Sequence, residues 1–213
     1  MRSIVPALAL TTFALLAGCG LRGIQGDGHL TTDRRAVSDF TTVDAAGGFD
    51  VSWSSGPAAL VITTDQNLLP HIKAEVTGHT LRVYADKSLA PTKGIKMVLS
   101  STALQGAALT GAIHLTANHL TGPALTLTSS GAVTIDASGS VNTLAANLTG
   151  ASTLRAAGLD AQDAKVTMVG ASRADLSVAK HLKASIVGAG SVSYSGNPAV
   201  EQSITGAGTI RRR

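Results

Sequence analysis

Between residues 101 and 213 the apolar positions recur on two scales at once. The longer scale is marked by a Gly-Ala pair beginning at Gly111, Gly131, Gly150, Gly170, Gly188 and Gly206, with the glycines 20, 19, 20, 18 and 18 residues apart. The shorter scale has period two. Two residues before each glycine stand Leu109, Ser129, Leu148, Met168, Ile186 and Ile204, and four residues after it stand Leu115, Ile135, Leu154, Ala174, Val192 and Ile210. Six residues before it, the last five repeats show Leu125, Leu144, Ala164, Leu182 and Val200. Even spacings place these columns on one face of an extended chain. The residues between them are mostly polar: Thr110, Ser130, Thr149 and Thr205 directly precede the glycine, with Val169 and Val187 as exceptions. Period-two alternation inside a repeat of 18–20 residues predicts short strands turned at glycine corners, coil stacked on coil about 4.8 Å apart. The expected fold class is all-β, a parallel β-solenoid. Each glycine supplies a positive φ or a close backbone approach at a corner, and the following Ala keeps that corner small.

Residues 30–100 lack the Gly-Ala register but keep strand patterning. Phe49, Val51 and Trp53 share one side of a strand, Ala59–Thr64 forms a more continuous apolar run, and Leu81–Ala85 and Ile95–Leu99 follow turns at Gly78 and Gly94. No stretch joins a helix N-cap to a sustained 3.6-residue period. These segments are expected to form less regular first coils that cover one end of the stack, because a solenoid needs atypical terminal repeats. Residues 101–210 form the regular part.

Residues 1–18 have the layout of a secretory signal: Arg2, an apolar run from Ile4 to Leu15, then small residues. The run is too short for a permanent helix across a hydrocarbon layer of roughly 30 Å. Leu16-Ala17-Gly18-Cys19 resembles the lipobox of bacterial lipoproteins, which implies a diacylglycerol acceptor at Cys19. It is the single cysteine of the chain, so no internal disulfide forms and the thiol reads as an attachment point. The resemblance implies several acyl chains on this residue, and two or more give stable anchoring where one is marginal. Gly20, in place of an inner-membrane-retaining Asp, points to the outer membrane. Residues 1–18 are thus expected to be a signal peptide, 19–29 a flexible lipidated tether, and 30–213 a single domain.

Composition narrows the picture further. Aromatic residues make up 3% and charged residues 14% of the chain, so the core must be built from Val, Ile, Leu and Ala. The 44% apolar content argues against disorder. Net charge is +4, but Arg211, Arg212 and Arg213 supply three of those charges and Arg2 lies in the signal segment. The remaining body is close to neutral, and a nucleic-acid partner is not expected.

Several segments of the chain together resemble the auto-transporter adhesin head GIN domain family. They are Arg35–Val43, Phe49–Val51, Thr64–Leu69, His79–Val83, and the Gly-Ala turns that end in Ile204–Gly208. The resemblance spans roughly residues 30–210. It implies a right-handed parallel β-helix in an envelope or surface protein, with no established catalytic residues.

The chemistry sought is mostly structural. Five residues after each glycine the column reads Thr116, Asp136, Arg155, Asp175, Ser193 and Arg211, which predicts an outer charge ladder of Asp136, Arg155 and Asp175 on successive coils. Arg155 between the two carboxylates argues against acid/base catalysis there. Asp160 and Asp163 alone offer too few oxygens for a cation site. The six histidines share no repeat column, and His114 and His119, five apart, are expected on opposite faces of an uninterrupted strand. No glycine-rich loop leads into a Lys-Ser/Thr pair, and no nucleophile elbow is present. No catalytic residue, metal site or cofactor is therefore assigned. The expected role is non-catalytic: a lipid-anchored envelope protein whose outer Thr/Ser columns form a long polar face for an envelope protein or a polysaccharide. A purely structural envelope protein is the first alternative, and a divergent polysaccharide lyase or hydrolase the second.

Overall fold

The computed structural model of the chain describes residues 23–213. The signal segment, Cys19 and residues 20–22 lie outside the described residues. The chain enters through β1 (Ile24–Gln25) and β2 (Leu30–Arg35), then builds a coil from β3 (Thr42–Gly47) and β4 (Asp50–Ser55). It departs through β5 (Ala59–Asp65), a 3-10 turn at Gln66–His71 and β6 (Ile72–Thr77). A second coil follows from β7 (Thr80–Ala85), β8 (Leu89–Ala90) and β9 (Lys96–Ser101). From β10 (Gly106–Gly111) the coils run without interruption. The strands β11 (His114–Gly131), β12 (Thr134–Gly150), β13 (Thr153–Gly170) and β14 (Arg173–Gly188) each occupy most of a turn. The last turn is made by β15 (Ser191–Ser195), β16 (Ala199–Gly206) and β17 (Thr209–Arg212).

Strand pairing makes this a parallel β-solenoid, but stacking order departs from chain order. β3 lies between β7 and β10, and β4 lies between β9 and β11, all in parallel. The coil formed second therefore sits outside the coil formed first. Beyond it the pairing becomes antiparallel: β6 pairs with β7, and β5 and β2 extend from β9. These antiparallel strands cover the end of the aliphatic stack, which otherwise would face water.

The columns found in the sequence line the interior. Leu109, Leu148, Met168 and Ile186 are buried in one, and Leu115, Ile135, Leu154, Ala174 and Val192 in another. A further column, Ala107, Leu127, Ala146, Val166 and Ala184, is buried four residues before the glycine. Burial stops at the last coil, where Val200 and Ile204 are each 39% exposed. Phe49, Val51 and Trp53 are buried together in the first coil, and Trp53 Nε1 donates to Ser101 Oγ at 2.9 Å. Hydroxyls also enter the core. Ser129 Oγ donates to Ser152 Oγ at 2.9 Å, the Ser152 amide to Ser172 Oγ at 3.3 Å, and Ser172 Oγ to the Gly150 carbonyl at 3.2 Å.

The corner glycines stack directly on one another. Each has a positive φ, +97° at Gly150 and +114° at Gly131. A Cβ on Gly150 would lie 2.7 Å from the Gly131 carbonyl oxygen, and the same clash repeats up the ladder. That oxygen accepts the Ala151 amide at 3.0 Å, as the Gly111 oxygen accepts Ala132 at 2.9 Å. Gly47 belongs to the same ladder, under Gly111, although Gly48 and not Ala follows it.

The segment expected to be a flexible tether differs from that reading. β1 pairs with β8, with the Ile24 amide donating to Ser88 at 2.8 Å and the Gly26 amide to Ala90 at 3.0 Å. The buried Asp65 carboxylate accepts the Thr92 amide at 2.8 Å, the Thr92 hydroxyl at 2.7 Å and the Gly28 amide at 2.9 Å. The Thr92 amide, opposed by burial and helped by the Thr92 hydroxyl and the Gly28 amide, holds this carboxyl below the usual carboxylate range. Glycine composition alone suggested slack here, but Gly26 is required because any side chain would strike Asp65.

Two predictions follow from these contacts. Gly150→Ala is expected to destabilise the fold by about 2–4 kcal/mol through strain at positive φ and the carbonyl clash. Gly78→Ala, at φ +60° with open space around it, should cost only about 1 kcal/mol. Chemical denaturation of the two variants measures the difference. Because the Asp65 carboxyl is depressed in the folded chain, its contribution is complete above the unfolded value near 3.9 and is lost as pH falls through the lower folded value. Hydrogen exchange at the Ile24, Gly26 and Gly28 amides, corrected for intrinsic pH dependence, should accelerate in that acid window. Asp65→Asn, which replaces an acceptor oxygen by a donor, should show the same release at neutral pH.

Candidate interaction surface

Period two sends alternate residues of each strand outward, and in-register stacking turns those residues into rows along the solenoid. On the face that precedes the glycine corner, one row reads Ala108, Thr128, Asn147, Thr167, Ser185 and Ser203, in register from coil to coil. The neighbouring row reads Thr110, Ser130, Thr149, Val169, Val187 and Thr205. Both rows are uncharged from Ala108 to Thr205, and charge borders them: Lys165, Lys183 and Glu201 in the next outward row, and Asp44 and Arg82 beyond Ala108. Thr and Val suit such positions because a β-branched side chain packs well on a pleated surface. Val169 and Val187 stand side by side and are 44% and 47% exposed, a small apolar step among hydroxyls. At one edge, Gly106 takes the place of a side chain between Thr42 and Thr126 and leaves an open notch of 380 Å³. None of the hydroxyls of these two rows donates a hydrogen bond to a protein group among the described residues.

The face that follows the glycine corner is different. Its outer rows mix Thr and Ser with charged residues, several of which are tied to one another. Arg155 Nη1 donates to both carboxylate oxygens of Asp136 at 3.3 Å. Asp175 is in register beside Arg155, yet no ion pair joins them. The predicted ladder instead runs toward the other end: His114 lies 2.7 Å from Asp136 and 3.6 Å from Asp50. His114 extends the ladder because it occupies the register position above Asp50, a link invisible without Gly47 in the corner series. His119 lies at the next corner, with φ +57°, inside an irregularity in pairing between Ala117 and Leu120. The strand is interrupted there, so counting alternation across it carries no information, and both histidines are exposed.

The third side carries polar pairs of its own. Gln162 donates to Asn142 at 3.2 Å and Lys180 to Gln162 at 2.8 Å, forming an amide ladder. Asp160 accepts the Ser177 hydroxyl at 3.0 Å, and His181 lies 2.6 Å from Asp163. The carboxylates considered for cation binding are thus separately engaged. No group of three or more His, Cys, Asp or Glu residues suited to a metal is found among the described residues. At the covered end, burial raises the Asp86 carboxyl, but hydrogen bonds from His71 and Lys73 outweigh it and hold the group below its ordinary value. No helix among the described residues is long and apolar enough to cross a membrane.

Solved structures share this fold along nearly the whole chain. A "putative adhesin" from Bacteroides fragilis is 22% identical, with a TM-score of 0.69, over 90% of this chain and 100% of its own. A "putative lipid binding protein" from Parabacteroides distasonis is 21% identical, with a TM-score of 0.59, over 89% and 99%. A "putative adhesin" from Parabacteroides merdae is 20% identical, with a TM-score of 0.56, over 89% and 98%. No curated protein matches the sequence. A family match covers residues 39–198, from the first coil to the last corner before β16, and by it the chain belongs to the family described as "Putative auto-transporter adhesin, head GIN domain".

Proposed function

We propose that this chain is a lipid-anchored protein of the cell envelope that binds a polar partner, without catalysis, across its two uncharged hydroxyl rows. The observation that carries this reading is the contrast between faces. Two sides of the solenoid carry charged and amide side chains, most of them paired, whereas the Thr, Ser and Asn rows from Ala108 to Thr205 carry no charge and make no side-chain pairs. Rows at a fixed spacing of about 4.8 Å present donors and acceptors to a repetitive ligand such as a polysaccharide, or to the edge of another envelope protein. The family and its adhesin-type solved relatives support an envelope location and a binding role. The lipobox at Leu16–Cys19 and Gly20 support anchoring, with the outer membrane as the destination.

The enzymatic alternative is less well supported by the geometry. Polysaccharide cleavage needs two carboxyl groups set across a scissile bond or a cation held by several oxygens. Here Asp136 is bonded to Arg155 and His114, Asp160 to Ser177, and Asp163 to His181.

Replacing Thr128, Thr149 and Thr167 together by Lys is expected to leave stability within about 1 kcal/mol, since all lie on the surface. Retention of envelope polysaccharides on a glycan array, or of crosslinked envelope proteins from intact cells, should fall at least tenfold. Thr134→Lys and Thr153→Lys, on the charged face, should leave it unchanged. Cys19→Ser should move the protein from membrane to soluble fractions and remove the acyl mass. Shortening of a polymer by the wild-type chain, abolished by Asp136→Ala, Asp160→Ala, Asp163→Ala or Asp175→Ala, would replace this reading with a catalytic one.

A further inference from the structure

The way the chain enters the fold identifies which part of the body meets lipid. In the regular coils only a few residues turn the corner after each glycine. In the outermost coil that corner is expanded to residues 86–95, between β7 and β9. With Gly47, Gly48 and Phe49 of the adjacent corner, it walls an open groove of 610 Å³. The same expanded corner grips the start of the described chain through the β1–β8 pairing and through Asp65, which joins Gly28 to Thr92. A side chain on Gly23 would collide with the backbone of Ser88 and Leu89. The position of Gly23 on the body is therefore fixed, not averaged over a tether.

Cys19 precedes Gly23 by four residues, and four residues of chain reach at most about 14 Å. A lipid attached at Cys19 thus brings a bilayer surface to this corner and not to the far coils. The β16 strand lies seven strand spacings from β7, roughly 34 Å at about 4.8 Å each.

Charge at the corner suits such a surface. Lys87 and Lys93 are exposed, and neither forms an ion pair among the described residues. Of the nearby acids, Asp86 faces His71 at 3.0 Å and Lys73 at 3.4 Å, Asp65 is buried under its three donors, and Asp27 accepts the His29 amide. Leu89 and Pro91, both partly buried, lie between the two lysines.

We propose that the corner formed by residues 86–93 rests on an anionic lipid surface, with Lys87 and Lys93 among the headgroup phosphates and the β16–β17 coil held away from it. This rests on acylation of Cys19. The test uses the full-length chain, acylated in its bacterial host, so that an introduced cysteine is the only free thiol. Ser88→Cys and Ser203→Cys are labelled with a fluorophore and incorporated into phosphatidylcholine–phosphatidylglycerol vesicles that carry a headgroup-nitroxide lipid. Quenching should be several-fold stronger at position 88 than at 203, and Lys87→Glu with Lys93→Glu should reduce the difference. Equal quenching at both positions, or stronger quenching at 203, overturns the orientation even when the protein floats with the vesicles. Failure of the acylated preparation to float, or absence of the acyl mass, overturns the anchor at Cys19 and this inference with it.

Discussion

Backbone stacked on backbone at a fixed corner is the constraint from which the remaining structure follows. Parallel coils hold together when every turn closes at the same place, because pairing on each side is in register only if the corners coincide. Here the corners coincide because Gly47, Gly111, Gly131, Gly150, Gly170, Gly188 and Gly206 lie one above another, with each carbonyl from Gly47 to Gly170 accepting the amide that follows the next glycine. From Gly111 onward a Cβ would crowd the carbonyl of the glycine below, and at Gly47 it would strike the Phe49 ring. Given fixed corners, period two does the rest. Inward positions become aliphatic columns and outward positions become rows, so both the stability and the candidate surface descend from one repeated contact.

The sequence was most legible where the repeat was most literal. From Leu109 to Val192 the columns read from spacing alone are buried in the fold. Legibility failed where one of its premises failed. Gly47 is followed by Gly48, so a search for Gly-Ala pairs passes over the first member of the ladder. The order of the first two coils depends on long-range pairing of β3 with both β7 and β10, which no local pattern encodes. The antiparallel strands β2, β5 and β6 alternate just as parallel ones do. The parity argument for His114 and His119 assumed a continuous strand, and the turn of the coil at His119 breaks it.

The candidate surface was partly visible in the same way. The outer Thr and Ser column before each glycine could be read directly, and so could the alignment of Asp136, Arg155 and Asp175. What alignment does not tell is which neighbours bond. Arg155 bonds with Asp136 alone, and His114 and Asp50 continue the ladder in the opposite direction. The entry segment was misread for a related reason: glycine-rich composition suggests slack, while Gly26 leaves room for the Asp65 carboxylate and Gly28, at φ +81°, turns its amide onto it.

The buried hydroxyls have a bearing on how the chain reaches one native arrangement and not its near copies. Coils of almost equal length and composition invite slippage by a whole repeat, since aliphatic columns match wherever they land. Ser129, Ser152 and Ser172 do not match everywhere: the Ser129 hydroxyl meets that of Ser152, and the Ser152 amide meets Ser172, only when these coils lie directly above one another. Displaced by one repeat so that Val133 takes the place of Ser152, the buried Ser129 hydroxyl would lose its partner, at a cost of about 1–3 kcal/mol. These serines thereby act as address labels, numbering turns that the aliphatic residues leave indistinguishable.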